Sequence, residues 1–256
     1  MHAALTIAGS DPSGGAGLQA DLKTFAAHGV YGVSAVTAVT VQNTQGVQAV
    51  AALAPELVAA QIDAVAADFR LATTKIGMLA TSPIVTAVAR AVERHRLPRV
   101  VLDPVLVASS GTRLLDPAGQ AVLIAELLPL ADVVTPNTLE AEALVQFPVR
   151  ALPDARRAAQ RLVEMGARAV VITGGHLSGP PIDLVLEGGI CTELPGERVE
   201  TRHTHGTGCT FSSALAARLA LGDALVPAVR VAKAYVERAL RQAPGLGHGR
   251  GPLGHL

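Results

Sequence analysis

Residues 4–41, ALTIAGSDPSGGAGLQADLKTFAAHGVYGVSAVTAVTV, decide the fold. The stretch begins and ends with apolar runs, Ala4–Ala8 and Val33–Val41, whose length and composition are typical of buried strands. Between the two runs, apolar residues recur at the spacing of a helix, at Leu18, Leu22 and Phe25. A strand, a helix and a second strand in this order predict a βαβ unit, in which the strands lie parallel and the helix crosses one face of the sheet.

The same alternation continues along the chain. Further apolar runs predict strands at Thr74–Gly77, Arg99–Asp103, Val133–Thr135, Ala169–Thr173 and Leu184–Glu187. Helical stripes recur at Val58, Ile62, Val65 and Phe69, and again at Leu225, Val229, Ala232 and Val236. Glu187-Gly188-Gly189 is typical of a hairpin turn, so we expect antiparallel strands at that edge of a mostly parallel sheet. No linker separates the elements, and we expect one α/β domain over residues 1–256.

Composition and charge exclude several classes of protein. The chain carries 21 basic and 21 acidic residues, four Phe, two Tyr and no Trp. It lacks the basic patch and the aromatic platform of a nucleic-acid-binding protein, so we expect small-molecule partners. Cys191 and Cys209 are too few for a disulfide framework. We find no signal-peptide pattern and no stretch of membrane-spanning quality, and we expect a cytoplasmic protein that does not bind membranes.

His205-Gly206-Thr207-Gly208-Cys209-Thr210 precedes an alanine-rich apolar stretch and predicts a cradle for an anion. Small residues let backbone N–H groups approach a phosphate, and a helix that begins here adds the positive end of its dipole. We expect this field to lower the pKa of Cys209, whose thiolate could then accept a proton from a substrate hydroxyl. The alternative is a glycine turn before a core helix, with Cys209 as a small buried apolar side chain.

Glycine-rich loops follow several predicted strands, where open α/β sheets bind ligands. Residues 8–17, AGSDPSGGAG, predict a close-packed substrate loop or, alternatively, a tight turn that caps a helix. Residues 108–111, ASSG, are typical of a loop that closes over phosphates, and residues 173–176, TGGH, of a turn against which a nucleotide lies. The glycine-rich tail, Pro244–Leu256, predicts a mobile or ligand-closing segment.

Carboxylates near strand ends suggest a cation site. Asp103 ends a predicted strand, and a carboxylate beside a phosphate cradle suits Mg²⁺. Asn137 and Glu140 offer a second pair at a helix start, although Glu140 could be only an acid that the helix dipole favours. His203 and His205 lie two residues apart, but without a nearby third ligand we do not expect them to bind a metal.

Six motifs follow one another along the chain: Ala8–Gly17, Thr74–Leu79, Leu102–Val105, Thr135–Asn137, Gly174–His176 and His205–Thr210. Together they resemble the hydroxymethylpyrimidine and phosphomethylpyrimidine kinases of thiamine biosynthesis. The resemblance implies a ribokinase-like fold, a three-layer α/β/α sandwich whose mostly parallel sheet has antiparallel edge strands. It also implies that ATP and Mg²⁺ are used to phosphorylate 4-amino-5-hydroxymethyl-2-methylpyrimidine and then its monophosphate, and it favours a homodimer.

The resemblance further implies roles for single residues. It makes Cys209 the catalytic base, within an anion hole formed by Gly206, Thr207 and Gly208. It makes the pyrimidine pocket from Gly9, Asp21, Gln42, Met78 and Val105. It brings ATP to Asn137, Thr173, Gly175 and Thr207, and Mg²⁺ to Asp103 and Glu140. An aminopyrimidine pairs donors with acceptors, so the amide of Gln42 can bond it twice, while Met78 and Val105 supply an apolar slot.

Two positions depart from the family pattern. Thr173 and His248 stand where the family commonly has lysine, and Arg250 or Arg113 could supply the missing charge. A pyridoxal kinase is the nearest alternative enzyme, because its substrate also carries a hydroxymethyl group on a small aromatic ring. A non-catalytic nucleotide or metabolite sensor is the alternative from another class, which the missing lysine at Thr173 would permit.

Overall fold

The structure is a computed structural model that describes residues 1–108, 111–177 and 179–255. Within these residues, strands form a single sheet, and they are β1 (Ala3–Ser10), β2 (Tyr31–Asn43), β3 (Gly46–Ala52), β4 (Leu71–Ile76), β5 (Val100–Leu102), β6 (Val133–Val134), β7 (Ala169–Ile172), β8 (Ile182–Glu187) and β9 (Ile190–Pro195). Their order across the sheet is β3-β2-β1-β4-β5-β6-β7-β8-β9. The strands from β2 to β7 in this order run parallel, whereas β3, β8 and β9 pair antiparallel.

Helices cover both faces of the sheet. The helices are α1 (Gly17–Ala27), α2 (Pro55–Asp68), α3 (Ser82–His95), α4 (Pro117–Val122), α5 (Thr138–Val145), α6 (Leu152–Glu164), α7 (Thr207–Ala220) and α8 (Leu225–Arg241). Strand side chains alternate between the two faces, so Leu5 and Ile7 of β1 pack in the core with α2, α3, α5 and α6, while Ala4 packs in the core with α1, α7 and α8. This arrangement confirms the predicted three-layer α/β/α sandwich with antiparallel edge strands.

The predicted strands and helical stripes coincide with elements of the structure, and the predicted hairpin at Glu187–Gly189 joins β8 to β9. The sequence analysis missed β3, which pairs with β2 at the opposite edge of the sheet. Most of β3 is exposed on both faces. Neither face of β3 therefore imposes the apolar alternation by which a half-buried strand is recognised.

Several residues of the glycine-rich tail bond to the rest of the molecule, which argues against a mobile segment, and closure of the tail over a ligand stays a prediction. The Arg250 N–H donates to the Thr44 carbonyl at 2.8 Å. The Tyr235 hydroxyl donates to the His255 carbonyl at 2.8 Å, and His255 Nε2 lies 3.0 Å from the Thr210 hydroxyl. Leu253 and His255 are buried, so the tail closes the molecule beside the start of α7.

Two further features bear on function. No helix in the described part of the chain is long and apolar enough to cross a bilayer. In the predicted loop at residues 108–111, Ser109 and Ser110 lie outside the described residues.

Candidate active site

A glycine turn at the start of α7 gives the backbone geometry that the predicted anion cradle needs. Gly206 is the N-cap residue and has a φ of 82°, and a Cβ there would collide with the carbonyl oxygen of Gly15. Only glycine satisfies both the backbone and the space at this position. A Cβ on Gly208 would have no atom within 4 Å, so the space in front of this residue is open. The Thr207 N–H donates to the Thr204 carbonyl at 3.3 Å and the Thr210 N–H to the Gly206 carbonyl at 2.9 Å. The N–H groups of Gly208 and Cys209 lie between them, in the first turn of α7, where a helix has no internal acceptor to offer and an anion can bind.

Cys209 lies in that first turn, half-buried. Burial raises the pKa of its thiol to about 12, and the Asp103 and Asp21 carboxylates act in the same direction. The charge of Lys75 and a hydrogen bond from the Gly17 backbone oppose this shift and are outweighed. The expectation of a lowered pKa was wrong, because the sequence pattern shows the helix terminus but neither the burial of the thiol nor the carboxylates that fold next to it.

Lys75 and Asp21 form a fully buried ion pair beneath the cradle. Lys75 Nζ lies 2.9 Å from both carboxylate oxygens of Asp21. Hydroxyls of Thr6 and Ser213 donate to the same carboxylate at 2.6 and 2.7 Å. Burial alone would lower the pKa of the Lys75 amine, but the Asp21 carboxylate raises it above its usual value. Asp21 has no exposed surface, so it supports the site from below rather than lining a pyrimidine pocket.

Asp103 lies beside this pair at the end of β5. Its Oδ2 lies 4.0 Å from Lys75 Nζ and accepts a hydrogen bond from the Ser212 hydroxyl at 2.9 Å. Burial raises the pKa of Asp103, although Lys75 and Ser212 counteract it. Burial and repulsion from Asp103 raise the pKa of Glu140 well above its usual value. Asp103 therefore acts electrostatically on Glu140, and a cation shared by the two carboxylates stays a prediction.

Asn137 and Glu140 also form a capping box at the start of α5. The Asn137 side chain accepts from the Leu139 and Glu140 N–H groups at 2.9 and 3.0 Å, and Glu140 Oε2 accepts from the Asn137 N–H at 2.9 Å. The structural alternative for Glu140 is therefore realised. The capping box uses only Oε2 of Glu140, so Oε1 is left for a cation that Asp103 would also attract.

A small apolar cluster lies at the carboxyl edge of the sheet, apart from both main cores. Met78 packs there with Ala38 and Ala80, against the partly buried Val105 and Leu114. Gly9 approaches it so closely that a Cβ would lie 2.9 Å from the Met78 sulfur. The structure thus brings three of the predicted pyrimidine-binding residues, Gly9, Met78 and Val105, to one place.

Gln42 lines a cavity of about 410 Å³ with the β2–β3 turn, His205 and Arg250. Gln42 Nε2 lies 3.2 Å from His205 Nε2, and Gln42 Oε1 lies 3.2 Å from the Thr40 hydroxyl. His205 Nε2 also lies 2.7 Å from Asp11 Oδ2. Burial would raise the pKa of Asp11, but hydrogen bonds from His205 and Ser13 hold it below its usual value.

The predicted nucleotide turn follows β7. The Thr173 N–H donates to the Pro136 carbonyl at 3.0 Å, which brings Thr173 beside Asn137. The Gly174 N–H donates to Asp183 Oδ1 at 2.9 Å, and Lys233 Nζ donates to Asp183 Oδ2 at 2.8 Å. Gly175, by contrast, is exposed.

Two arginines lie near this turn. The Arg198 guanidinium donates to the carbonyls of Gly175, Leu177 and Gly179. Burial, and then the charges of Arg198 and Arg250, lower the pKa of His176. Positive charge is therefore supplied near a turn at which Thr173 replaces a lysine.

A family model described as phosphomethylpyrimidine kinase matches residues 11–254. The hydroxymethylpyrimidine/phosphomethylpyrimidine kinase of Rhizobium meliloti (strain 1021) is 51% identical over 258 residues, covering 99% of this chain and 96% of that protein. The chain belongs to the phosphomethylpyrimidine kinase family.

Solved structures agree with this membership in the kinase family. An ADP complex of Bacillus subtilis pyridoxal kinase has a TM-score of 0.93 at 38% identity, covering 100% of this chain and 97% of that chain. A phosphomethylpyrimidine kinase from Clostridium difficile 630 has a TM-score of 0.83 at 39% identity, covering 93% and 99%. These similarities confirm the ribokinase-like fold.

Several residues that shape this kinase site were not assigned a role from the sequence. Lys75 carries the one charge in its strand, LATTKI, and a charged residue in a buried strand is a usable signal. Asp183 and Lys233 lie 50 positions apart and give no such signal. Asp11 and His205 were visible within motifs, but their contact spans 194 positions and depends on the fold.

Proposed function

We propose that this chain phosphorylates 4-amino-5-hydroxymethyl-2-methylpyrimidine and then its monophosphate, using ATP and Mg²⁺, as a step of thiamine biosynthesis. The observation that carries the proposal is the joint position of Cys209, the open first turn of α7 and the Lys75–Asp103 pair at the carboxyl edge of the sheet. Family membership and the apolar cluster around Met78 support the same conclusion.

The acceptor ring would lie between the apolar cluster and Gln42. Met78 and Val105 offer a slot for ring and methyl, and Gly9 leaves room because it has no side chain. Gln42 shares the face of β2 that carries Ala38, since strand residues two or four apart point the same way. The Gln42 amide can therefore bond the edge of a ring seated on that cluster.

The transferred phosphoryl group would lie at the N–H groups of Gly206, Thr207 and Gly208. These donors and the helix dipole stabilise the negative charge that develops during transfer. Asp103 and Glu140 fit Mg²⁺, because the Asp103 carboxylate helps to raise the pKa of Glu140, and a cation between the two carboxylates would relieve this repulsion. When bound, Mg²⁺ would neutralise phosphate charge.

Cys209 is our candidate for the group that takes the hydroxyl proton. Because its pKa is raised to about 12, the thiol is protonated at neutral pH in the free protein and must ionise before it can act as a base. Lys75 is the cation of this chain that favours the thiolate. Cations that arrive with the nucleotide would favour it further.

ATP would contact Asn137, Thr173, Gly175 and Thr207. The ADP complex of the related pyridoxal kinase supports an adenine nucleotide as the ligand. Arg198 and Arg250 act on His176, within the nucleotide turn, and would replace the charge of the lysine absent at Thr173.

One end-point assay tests the proposal. Purified protein is incubated with the hydroxymethylpyrimidine, ATP and Mg²⁺, and mono- and diphosphate are read by mass, with an EDTA-treated sample as control. We expect both products. Absence of phosphorylated pyrimidine would overturn the proposal, and monophosphate alone would restrict it to the first step.

Pyridoxal kinase remains a second candidate, because a pyridoxal kinase has a TM-score of 0.93 to this chain. Parallel reactions with pyridoxal decide between the two by comparing kcat/KM. A non-catalytic sensor would bind ATP without consuming it, and the same assay excludes that function when either product forms.

We also propose a cytoplasmic, single-domain homodimer. The dimer is supported by apolar residues that β2 and β3 leave exposed, with Val39, Val41 and Val50 exposed by 47%, 54% and 38%. Light scattering coupled to size-exclusion chromatography tests the dimer, and a monomeric mass at micromolar concentration would contradict it.

A further inference from the structure

The orientation of the Gln42 amide is determined by the groups on either side of it. An amide presents an oxygen that accepts and a nitrogen that donates, and the two arms have nearly the same shape. In the structure Gln42 Nε2 lies 3.2 Å from His205 Nε2, and Gln42 Oε1 lies 3.2 Å from the Thr40 hydroxyl. The protons on these two neighbours decide which arm is the oxygen.

On the first side, the proton belongs to His205. Asp11 Oδ2 already accepts from the Ala16 N–H at 2.9 Å, and it lies 2.7 Å from His205 Nε2. The hydrogen bonds that hold the Asp11 pKa low keep this carboxylate ionised. His205 Nε2 therefore carries the proton and donates it to Asp11, so the Gln42 atom that faces the same N–H cannot be a second donor and has to be the amide oxygen.

On the second side, the proton of Thr40 is already used. The hydroxyl of Thr40 has a single hydrogen, and it lies 3.0 Å from the carbonyl oxygen of Ser10, which can only accept. The hydroxyl can then offer Gln42 only a lone pair. The second arm of the amide has to donate, so both neighbours demand the same orientation.

We propose that Asp11 and His205, together with Thr40, lock the Gln42 amide with its oxygen toward His205 and its nitrogen toward Thr40, half a rotation from its orientation in the structure, and that this lock selects the substrate ring. The proposal rests on the proposed function and deepens it. After both bonds are made, the amide keeps one lone pair and one N–H for a ligand, in a fixed order. That order fits a ring with an amine next to an unprotonated ring nitrogen, such as a 4-aminopyrimidine.

A 4-oxo ring carries the reverse order. 4-Oxo-5-hydroxymethyl-2-methylpyrimidine places a carbonyl where the substrate has an amine and an N–H where the substrate has a bare nitrogen. With its hydroxymethyl group kept toward Cys209, it can pair with Gln42 only if the amide turns by half a rotation, which the lock opposes. Asp11, His205 and Thr40 are therefore positioning residues, because they act on the ring through Gln42.

The experiment compares the two rings as ligands and substrates of wild type, His205→Leu and His205→Gln. Leucine removes the donor, and glutamine returns an N–H to it. His203→Gln is the matched control, because His203 Nδ1 accepts from the Gly251 N–H at 3.2 Å, away from Gln42. Calorimetric binding without ATP and KM with ATP are measured for each ring, together with wild-type phosphorylation of the aminopyrimidine.

We expect wild type to prefer the amino ring to the oxo ring by about 100-fold or more, because the reversed ring leaves buried polar groups unpaired. In His205→Leu this ratio falls by about tenfold or more, through weaker amino-ring binding and stronger oxo-ring binding, and His205→Gln recovers part of it. His203→Gln keeps the wild-type ratio.

Thr40→Val tests the opposite side of the lock with a substitution of similar shape, and it serves also if His205→Leu does not fold. We expect it to reduce the ratio in the same direction. A wild-type ratio near one, or an unchanged ratio in His205→Leu or in Thr40→Val, overturns the lock while the proposed kinase function stands. Failure of wild type to phosphorylate the aminopyrimidine overturns the proposed function and the lock with it.

Discussion

Two lysine–aspartate pairs lie beneath two glycine turns, at Gly206 and at Gly174, and the pairs differ in what surrounds them. Lys75 and Asp21 are completely buried, and their charges act on Cys209 and Asp103. Lys233 and Asp183 are 12% and 7% exposed, and Asp183 holds the backbone of the nucleotide turn through the Gly174 N–H. The inner pair, Lys75 and Asp21, therefore acts on the charge state of Cys209. The outer pair, Lys233 and Asp183, fixes the shape of a loop.

The largest expected effect lies above the inner pair, at Cys209. Cys209→Ala should lower kcat by about 10²- to 10⁴-fold with both substrates still bound, because a general base contributes that much and the backbone cradle remains. Cys209→Asp should recover part of the rate. Single-turnover rates at saturating ATP measure this, with the exposed Cys191→Ser as control.

The raised pKa of Cys209 also predicts the direction in which kcat changes with pH. With a thiol pKa of about 12, kcat of the wild type should rise with pH across the neutral range, because the thiolate fraction rises. The profile of Cys209→Asp should be flat there. A Cys209→Ala rate within about threefold of wild type would make the thiol structural.

Breaking the inner pair should cost stability more than any other change considered. Asp21→Asn keeps the shape but leaves Lys75 charged and fully buried, and we expect a loss of about 3 to 5 kcal/mol in the free energy of unfolding. Urea denaturation measures it. The double variant Asp21→Asn/Lys75→Met removes both charges and should regain a large part of the loss; equal losses in both variants would argue against the pair.

Asp183→Asn is the matching change in the outer pair. We expect a smaller loss, about 1 to 3 kcal/mol, because Lys233 reaches water and still has the Pro181 carbonyl at 3.2 Å. The KM for ATP should rise, while the KM for the pyrimidine stays the same. If the KM for the pyrimidine rises instead, the inner and outer pairs do not have the separate roles that their surroundings indicate.

The tail next to the inner pair should give the protein an acid sensitivity. Burial, with Lys23 nearby, lowers the pKa of His255 to about 4, so below pH 6.5 the unfolded chain binds a proton that the folded chain does not. The contribution of neutral His255 to the free energy of unfolding is fully present above pH 6.5 and is lost as the pH falls toward 4. The loss is about 2 kcal/mol at pH 5. In His255→Gln the loss between pH 7 and pH 5 should be smaller by that amount, whereas the exposed His2→Gln should behave as wild type.

The smallest effect is expected at Glu140. Glu140→Gln keeps a capping oxygen but removes a charge that repels Asp103, so the free protein should become more stable by about 1 kcal/mol. The same change should weaken Mg²⁺-dependent turnover, seen as a higher Mg²⁺ concentration at half-maximal rate. Unchanged Mg²⁺ dependence would leave Glu140 as a helix-capping residue only.

Sequence and structure agree where a local pattern is enough. The cradle at Gly206–Cys209 was predictable because small residues before an apolar helix describe one continuous piece of backbone. The cluster of Gly9, Met78 and Val105 followed from the rule that parallel strands bring their carboxyl ends together. Asp21 was misplaced because its burial depends on Lys75, which is 54 positions away.

The sequence by itself determined the α/β class, the mostly parallel sheet and the family, because periodicity and compact motifs are local properties of the chain. Only the tertiary structure decided the direction of the Cys209 pKa, the anchoring of the tail and the neighbours of Gln42. Each of these depends on charges or donors from distant segments, such as Asp103 near Cys209 and Asp11 against His205. Such contacts exist only after the chain has folded, and no spacing within the sequence encodes their distance.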